Sequence, residues 1–305
     1  VVAAVFAPGS ISLRLYPTEG TAPDVLRVLG REARVAVDHG FDGVMVSEGH
    51  AVPTNVPNPL QLAGWLLDDL PAGWAAPCPL LLPLRSPLVV AEETTWLAAR
   101  HPGRIGLGVA TGGHRDQFDA LGVAFDERVD AFTAALPPLV EALQHGAGPL
   151  AHDAAVGACR DHPVPVVSAA LSRAAVDRAR RAGCGIVGDS LSTPKRTRDL
   201  VRYYVDGGGT GPCILIRRVW LGARPDGKAA EQLEWYRGAA GPGRMRYWGD
   251  TDQTVADTDA AALADRLLDL VRTTGPVALN LRVHVPGLPT QVVEEQIVRL
   301  GEEVL

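Results

Sequence analysis

The stretch Ser10 to His50, SISLRLYPTEGTAPDVLRVLGREARVAVDHGFDGVMVSEGH, decides how the rest of the chain is read. Its first residues alternate in the manner of a strand and stop at Pro17. "APDVLRVLGREARVAVDHG" then carries apolar side chains at helical spacing, with Asp24 in the first turn, where a carboxylate suits the helix dipole, and Gly40 at the stop. "FDGVMVSEGH" is a second apolar strand that ends by presenting Glu48 and His50 around a glycine. Strand, helix and strand in this order form a unit in which the helix returns the chain so that the second strand can pair in parallel.

Working outward, the unit repeats. "NPLQLAGWLLDDL" is a helix, "APCPLLLPL" a third apolar run, and "SPLVVAEETTWLAARH" a helix whose Pro87 suits its N-terminus. "GRIGLGVATGG" is a fourth strand, and "DERVDAFTAALPPLVEALQ" a long helix that Pro137 and Pro138 are expected to kink. "AGPLAHDAAVGACRDH" has no period and reads as a surface connection. The alternation resumes with "PVPVVSAAL", "CGIVGDS", "PCILIRRVWLG" and "GPVALNLRV", each followed by a helical segment, the third after a less regular stretch. Eight strands alternating with helices predict a (β/α)8 TIM barrel, residues 1–305 forming a single domain. A doubly wound sheet also alternates, but it carries a Gly-rich fingerprint after its first strand, and "YPTEGTAPD" is none.

Composition narrows the partners. The 305 residues are 47% hydrophobic, and the net charge of -6 comes from interspersed signs. No basic face invites nucleic acid, no polybasic run invites an anionic membrane, and no apolar run reaches the roughly 18 residues needed to span a bilayer. Cys78, Cys159, Cys184 and Cys213 show no paired spacing, so a reducing, cytoplasmic location is expected. A small-molecule substrate is the expected partner.

In such a barrel the chemistry belongs at the C-terminal ends of the strands. Those ends are Ser47 to His50, Pro83 to Ser86, Ala110 to His114, Ser168 to Ser172, Asp189 to Thr193, Trp220 to Gly222 and Arg282 to His284. Glu48 could orient or tune His50 in a chemical role, or the two could be a hydrogen-bonded rim pair. His114 could reach the same mouth, or could cap a helix. No H-E-x-x-H and no alternate-position histidine pair supports a metal, and no G-x-S-x-G supports a nucleophilic serine, which leaves a mouth suited to a cofactor that carries the chemistry. "GLGVATGG" offers backbone without bulk, against which a flat ring could lie. "SAALS" and "GDSLSTPKR" open helices with hydroxyl residues, an arrangement that fits a phosphate and equally fits ordinary N-caps. Trp65, Trp220 and Trp248 could line an apolar pocket or simply pack.

"RHPGRIGLGVATGGHRDQFDALGVAFDERVDAF" resembles the signature of the luciferase-like family of flavin- and deazaflavin (F420)-dependent oxidoreductases. "FDGVMVSEGH", "LLPLRSPLVVAEETTWLA" and "RVHVPGLPTQVVEEQIVRLGEEVL" resemble the same family in the same order. The resemblance implies a TIM barrel that binds FMN, or alternatively F420, at its mouth, and a homodimer. It further implies Gly108, Val109, Ala110 and Thr111 along the ring, and Ala170, Leu171 and Ser172 with Ser190, Ser192 and Thr193 at the ribityl phosphate. A cis peptide bulge under the ring falls at Cys78–Pro79, where proline makes the cis form accessible.

Two departures stand out. Many members end the second strand with a histidine directly after the acid; here Gly49 holds that place and His50 follows. Where deazaflavin dehydrogenases can carry an acid after the fourth-strand glycine, this chain has Gly113. The short stretch before the fifth strand implies a wide mouth, or one completed by a partner subunit. The resemblance therefore implies a luciferase-like monooxygenase using reduced FMN, with a flavin reductase as a possible supplier. The alternatives are F420-dependent hydride transfer and a barrel that binds its ligand without turnover.

Overall fold

A computed structural model describes residues 2–51, 56–240, 245–275 and 277–305; part of the Pro/Asn loop read after His50, residues 52–55, lies outside the described residues. The elements run β1 (Ile11–Leu15), α1 (Ala22–Asp38), β2 (Gly43–Val46), α2 (Pro59–Asp69), β3 (Trp74–Pro77), β4 (Leu80–Leu81), α3 (Pro87–Arg100), β5 (Leu107–Ala110), α4 (Arg115–Ala120) and α5 (Arg128–His145). They continue with α6 (Ala154–Ala158), β6 (Val166–Ala169), α7 (Arg173–Ala182), β7 (Gly185–Gly188), α8 (Pro194–Asp206), β8 (Cys213–Leu221), α9 (Asp226–Ala239), β9 (Val255–Asp257), α10 (Ala260–Thr274), β10 (Ala278–Arg282) and α11 (Thr290–Glu303).

All the strand pairings are parallel, in the order β3-β2-β1-β10-β8-β7-β6-β5-β4, and β9 adds to the end of β8. The third apolar run is one barrel strand in two pieces, β3 and β4, separated by a cis Cys78–Pro79 peptide as the sequence reading expects. A bridge between Ala75 and Ile105 brings β3 back to the segment entering β5, so the path curls into a nearly closed barrel of eight strand positions.

Strand alternation divides the core into two layers. Leu13, Leu15, Val44, Val46, Leu107, Val109, Leu215, Leu279 and Leu281 face outward into one large cluster with the helices. Each such fully buried Leu or Val contributes about 1.5–3 kcal/mol. Met45, Trp74, Ala76, Cys78, Val167, Val187, Ile214 and Ala278 form a separate inner cluster, plugged by Phe6, whose ring meets Trp74 edge-on at 5.5 Å. Gly106 permits that plug, since a Cβ there would lie 2.5 Å from Val5 Cγ1.

Local signals fix the helix ends. Thr21, Asn58, Ser172, Thr193 and Asp259 each cap a helix by accepting a backbone N–H. The long helix α5 runs through both Pro137 and Pro138. The stretch read as a bare surface connection contains α6, which Asp153 caps and which packs beside α3. Within the less regular stretch after β8 the structure forms α9 and then β9.

Candidate functional site

The end of β2 carries the densest polar contacts on one side of the mouth. Glu48 is buried, and its Oε1 lies 2.8 Å from His50 Nε2 and 2.9 Å from Arg85 Nη2. Its Oε2 accepts the backbone N–H of Leu81 at 2.6 Å. The main chain fixes the same residue, because Glu48 N donates to Pro79 O. Glu48 is thus held from four directions, and its chemical capacity is to orient the His50 ring rather than to shuttle protons itself. Arg85, which also donates to Pro57 O, supplies the counter-charge that a buried carboxylate requires.

Gln117 ties the two candidate histidines to one side. Its side-chain carbonyl accepts the N–H of His50, while its own N–H donates to the carbonyl of His114, the half-buried residue at the start of α4. The one-residue displacement of the histidine therefore does not remove it from the mouth: the chain turns after Glu48, and Ala51 adopts a positive φ of 52°.

Beside this pair, Cys78, Pro79, Gly108 and Ala110 form a narrow ledge of small side chains. A Cβ on Gly108 would lie 2.3 Å from Cys78 Sγ, so glycine is what lets β5 lie against the cis peptide. Val109 faces the helices, leaving only its backbone on the ledge. Thr111 turns its hydroxyl to Gly112 O. Burial pushes the Cys78 thiol above its ordinary 9, with Arg14 opposing, so the thiol is held neutral.

The two expected phosphate loops differ. Ser172 caps α7 through Ala175 N, Ala170 is buried, and Leu171 O accepts from Arg196. In the next loop Asp189 takes the N–H groups of Leu191 and Ser192 and the Ser192 hydroxyl, and it also accepts from Trp248 Nε1 at 2.6 Å. Thr193 caps α8, Ser190 is buried, and Gly249 N donates to Leu191 O, so the segment bearing Trp248 covers this loop. An anion could use these N–H groups only by displacing the Asp189 carboxylate.

The opposite side of the mouth holds residues to which the sequence reading gave no role. Arg14 donates to Asn280 Oδ1 at 2.8 Å and to Ser47 Oγ, and its Nη2 is buried with no partner within the described chain. Arg218 on β8 pairs with Asp252, which also receives Arg224 at 2.6 Å. Arg282 on β10 lies over the Tyr16 ring, 3.9 Å from its centre, and 5.1 Å from that of Tyr236 on α9. Tyr16 also stacks on His284 at 5.3 Å.

The electrostatics follow from this crowding. Burial raises the Tyr16 phenol, but Arg282, Arg14 and Arg218 outweigh it and hold its pKa below the ordinary 10. Burial and then Arg282 push His284 down to about 3, so its ring is neutral. Burial would lower Arg282, yet Tyr16 and Tyr236 outweigh it, and the guanidinium stays charged. Period-2 alternation would have flagged these residues, because Arg14 and Tyr16 share the face of Ser12, and Arg282 and His284 share that of Asn280. The short stretch before β6 implied a mouth that is wide or completed by a partner subunit; among the described residues Tyr236 and Gln232 of α9 approach it, Tyr236 5.1 Å from Arg282 and Gln232 donating to His284 O. Trp220 lines a narrow cavity there, whereas Trp65 is half exposed on α2.

The fold is a parallel (β/α)8 barrel whose C-terminal mouth carries an oriented carboxylate–histidine pair beside a ledge of small residues, the end of the barrel where such folds place their sites. The chain belongs to the family described as luciferase-like monooxygenases, whose model matches residues 3–208, and it is therefore an oxidoreductase of the flavin- or F420-dependent type. Solved structures share the fold over nearly their whole length. Monooxygenase RslO1 from Streptomyces bottropensis has a TM-score of 0.81 at 17% identity, covering 97% of this chain and 98% of that one. The FMN complex of the oxygenating constituent of 3,6-diketocamphane monooxygenase from Pseudomonas putida has a TM-score of 0.74 at 16% identity, covering 97% of each chain. The coenzyme F420-dependent tetrahydromethanopterin reductase from Methanopyrus kandleri has a TM-score of 0.68 at 16% identity, covering 98% of this chain and 99% of that one. A comparison with curated protein sequences finds no match. No helix among the described residues is long and apolar enough to cross a membrane.

Proposed function

We propose that the protein is a monooxygenase in which FMN lies on the ledge formed by Cys78, Pro79, Gly108 and Ala110 and acts on a small organic substrate. The observation that carries this reading is the Glu48–His50 pair, with its carboxylate buried and its imidazole part-exposed, just past the end of the strand next to that ledge. The residues fit such a ring: glycine keeps the ledge flat, and the unpartnered Arg14 Nη2 lies among Ser47, Cys78 and Asn280 as a donor for an acceptor edge. Ala170 to Ser172 would meet the ribityl phosphate, with Ser190, Ser192 and Thr193 joining only if Asp189 moves. Reduced FMN, when bound, supplies an electron pair to dioxygen.

His50 holds and moves a proton at Nδ1, the ring nitrogen opposite the Nε2 through which Glu48 fixes the ring. His114, on the same side of the mouth, is a second proton-handling candidate. A flavin reductase is proposed as the source of reduced FMN and a homodimer as the assembly, for which sedimentation would give twice 32.2 kDa. The test is aerobic oxidation of reduced FMN followed by flavin absorbance, in parallel with F420 and candidate alcohols. Protein-dependent FMN turnover supports this reading, F420 reduction replaces it with hydride transfer, and neither activity leaves a ligand-binding barrel.

A further inference from the structure

We propose that the β1, β8 and β10 side of the mouth binds the carboxylate of an anionic organic substrate between Arg218 and Arg282. This rests on the functional reading above and names the substrate class of the same site. Arg218 and Arg282 are 4% and 5% exposed. Neither is fully used: Arg218 Nε and Nη1 and Arg282 Nε have no partner within the described chain. Both residues line one narrow cavity of about 10 Å³, with Gln232, Trp220, Thr254 and His284 as neighbours; as it stands it has room for a water-sized group, and α9 must give way for a carboxylate to enter.

Charge accounting points the same way. Asp252 is shared between Arg218 and Arg224, and Asp226 also pairs with Arg224, so among the described residues no carboxylate forms an ion pair with Arg14 or Arg282. Tyr16 and Tyr236 are the groups set against Arg282, and His284 is neutral beside them. A buried cation without a counter-ion is costly, and a folded chain keeps it where a ligand completes the pair. Guanidinium groups match carboxylates through charge-assisted hydrogen bonds. Trp220, which lines the cavity, would flank the apolar part of the same molecule. The FMN ledge lies on β3 to β5, across the barrel from β8 and β10, which carry Arg218 and Arg282, so the two ligands need not compete.

The test uses the full chain without cofactor, titrated at constant ionic strength with acetate, octanoate and benzoate and with their neutral amides, and read by melting temperature and intrinsic tryptophan fluorescence. At least one carboxylate is expected to bind at least tenfold more tightly than its amide. Arg218→Met and Arg282→Met should each weaken that binding at least tenfold while leaving FMN affinity, measured by flavin fluorescence, within twofold. The comparison of acids with amides in the unaltered chain stands even where a variant does not fold.

The proposal is overturned if no carboxylate outcompetes its amide, or if both variants bind as the wild type does. It is also overturned if the variants lose FMN but keep riboflavin, which would assign the arginines to the cofactor phosphate. Failure of the wild type to bind FMN, with carboxylate selectivity intact, sinks the functional reading and leaves this inference supported.

Discussion

Replacing Glu48 with glutamine tests whether the end of β2 is the anchor the contacts describe. Glutamine keeps the shape but offers one acceptor oxygen, so an NH2 group must face either the Leu81 N–H or the Arg85 guanidinium. At least one charge-assisted hydrogen bond is lost, worth about 1.5–3 kcal/mol, and a donor is left against a donor. Arg85 is 22% exposed in its side chain and can regain some hydration, which limits the total to about 2–4 kcal/mol. For a chain of this size that is a fall of roughly 3–6 °C in melting temperature.

Differential scanning calorimetry reads the stability change, and steady-state kinetics with the bound cofactor reads the consequence for His50. Turnover should fall by about 10–100-fold, because an imidazole without its orienting carboxylate loses much of its acid–base contribution. Cofactor affinity should change less than threefold. A variant with unchanged melting temperature would refute the account of Glu48 as a buried anchor. A stability loss with full turnover would confine it to a structural role.

Glu32 provides a pH test. Burial and the neighbouring Glu294 push its carboxyl from the ordinary 4.5 up to about 8, so the native state binds the proton more tightly and stability declines as pH rises between those values. At pH 7 the cost reaches about 3 kcal/mol at most, and Glu32→Gln should raise the melting temperature by a few degrees at pH 7.5 and by nothing at pH 4; equal effects at both pH values would contradict this. His50→Ala should reduce turnover by about 10²–10⁴-fold with cofactor binding retained, whereas unchanged turnover removes His50 from the mechanism. Gly108→Ala should cost about 1–3 kcal/mol by driving a methyl group into Cys78 Sγ, and adding Cys78→Ala should recover part of it in a denaturant titration.

The barrel was legible because it is written in local terms. Apolar alternation, Pro at helix starts and Gly at helix stops recur around the chain, whereas the cis Cys78–Pro79 peptide was expected from the family resemblance, which the Cys-Pro step located. The polar interior was harder, since its meaning is shared between distant strands. Arg14 finds Asn280 across more than 260 residues, and Arg282 lies over Tyr16 across a similar span. Each arginine in isolation looks like a strand-edge charge. The β7–α8 loop holds a contact that its sequence does not announce. "GDSLS" reads as an anion cradle, but it supplies its own anion, because the aspartate in the motif folds back onto the N–H groups. Crowding of the mouth depends on α9 and on the segment around Trp248, which lie in the least periodic part of the sequence.

The central claim is that the ledge beside Glu48 and His50 receives a flavin-type ring. Titrating the cofactor-free protein with FMN and with F420, and again with an Ala110→Trp variant shown to be folded by circular dichroism, tests it most directly. The account predicts saturable binding of FMN at one per chain, abolished by the tryptophan that would fill the ledge. Failure of both cofactors to saturate the wild type, or binding by the variant at wild-type affinity, would contradict it.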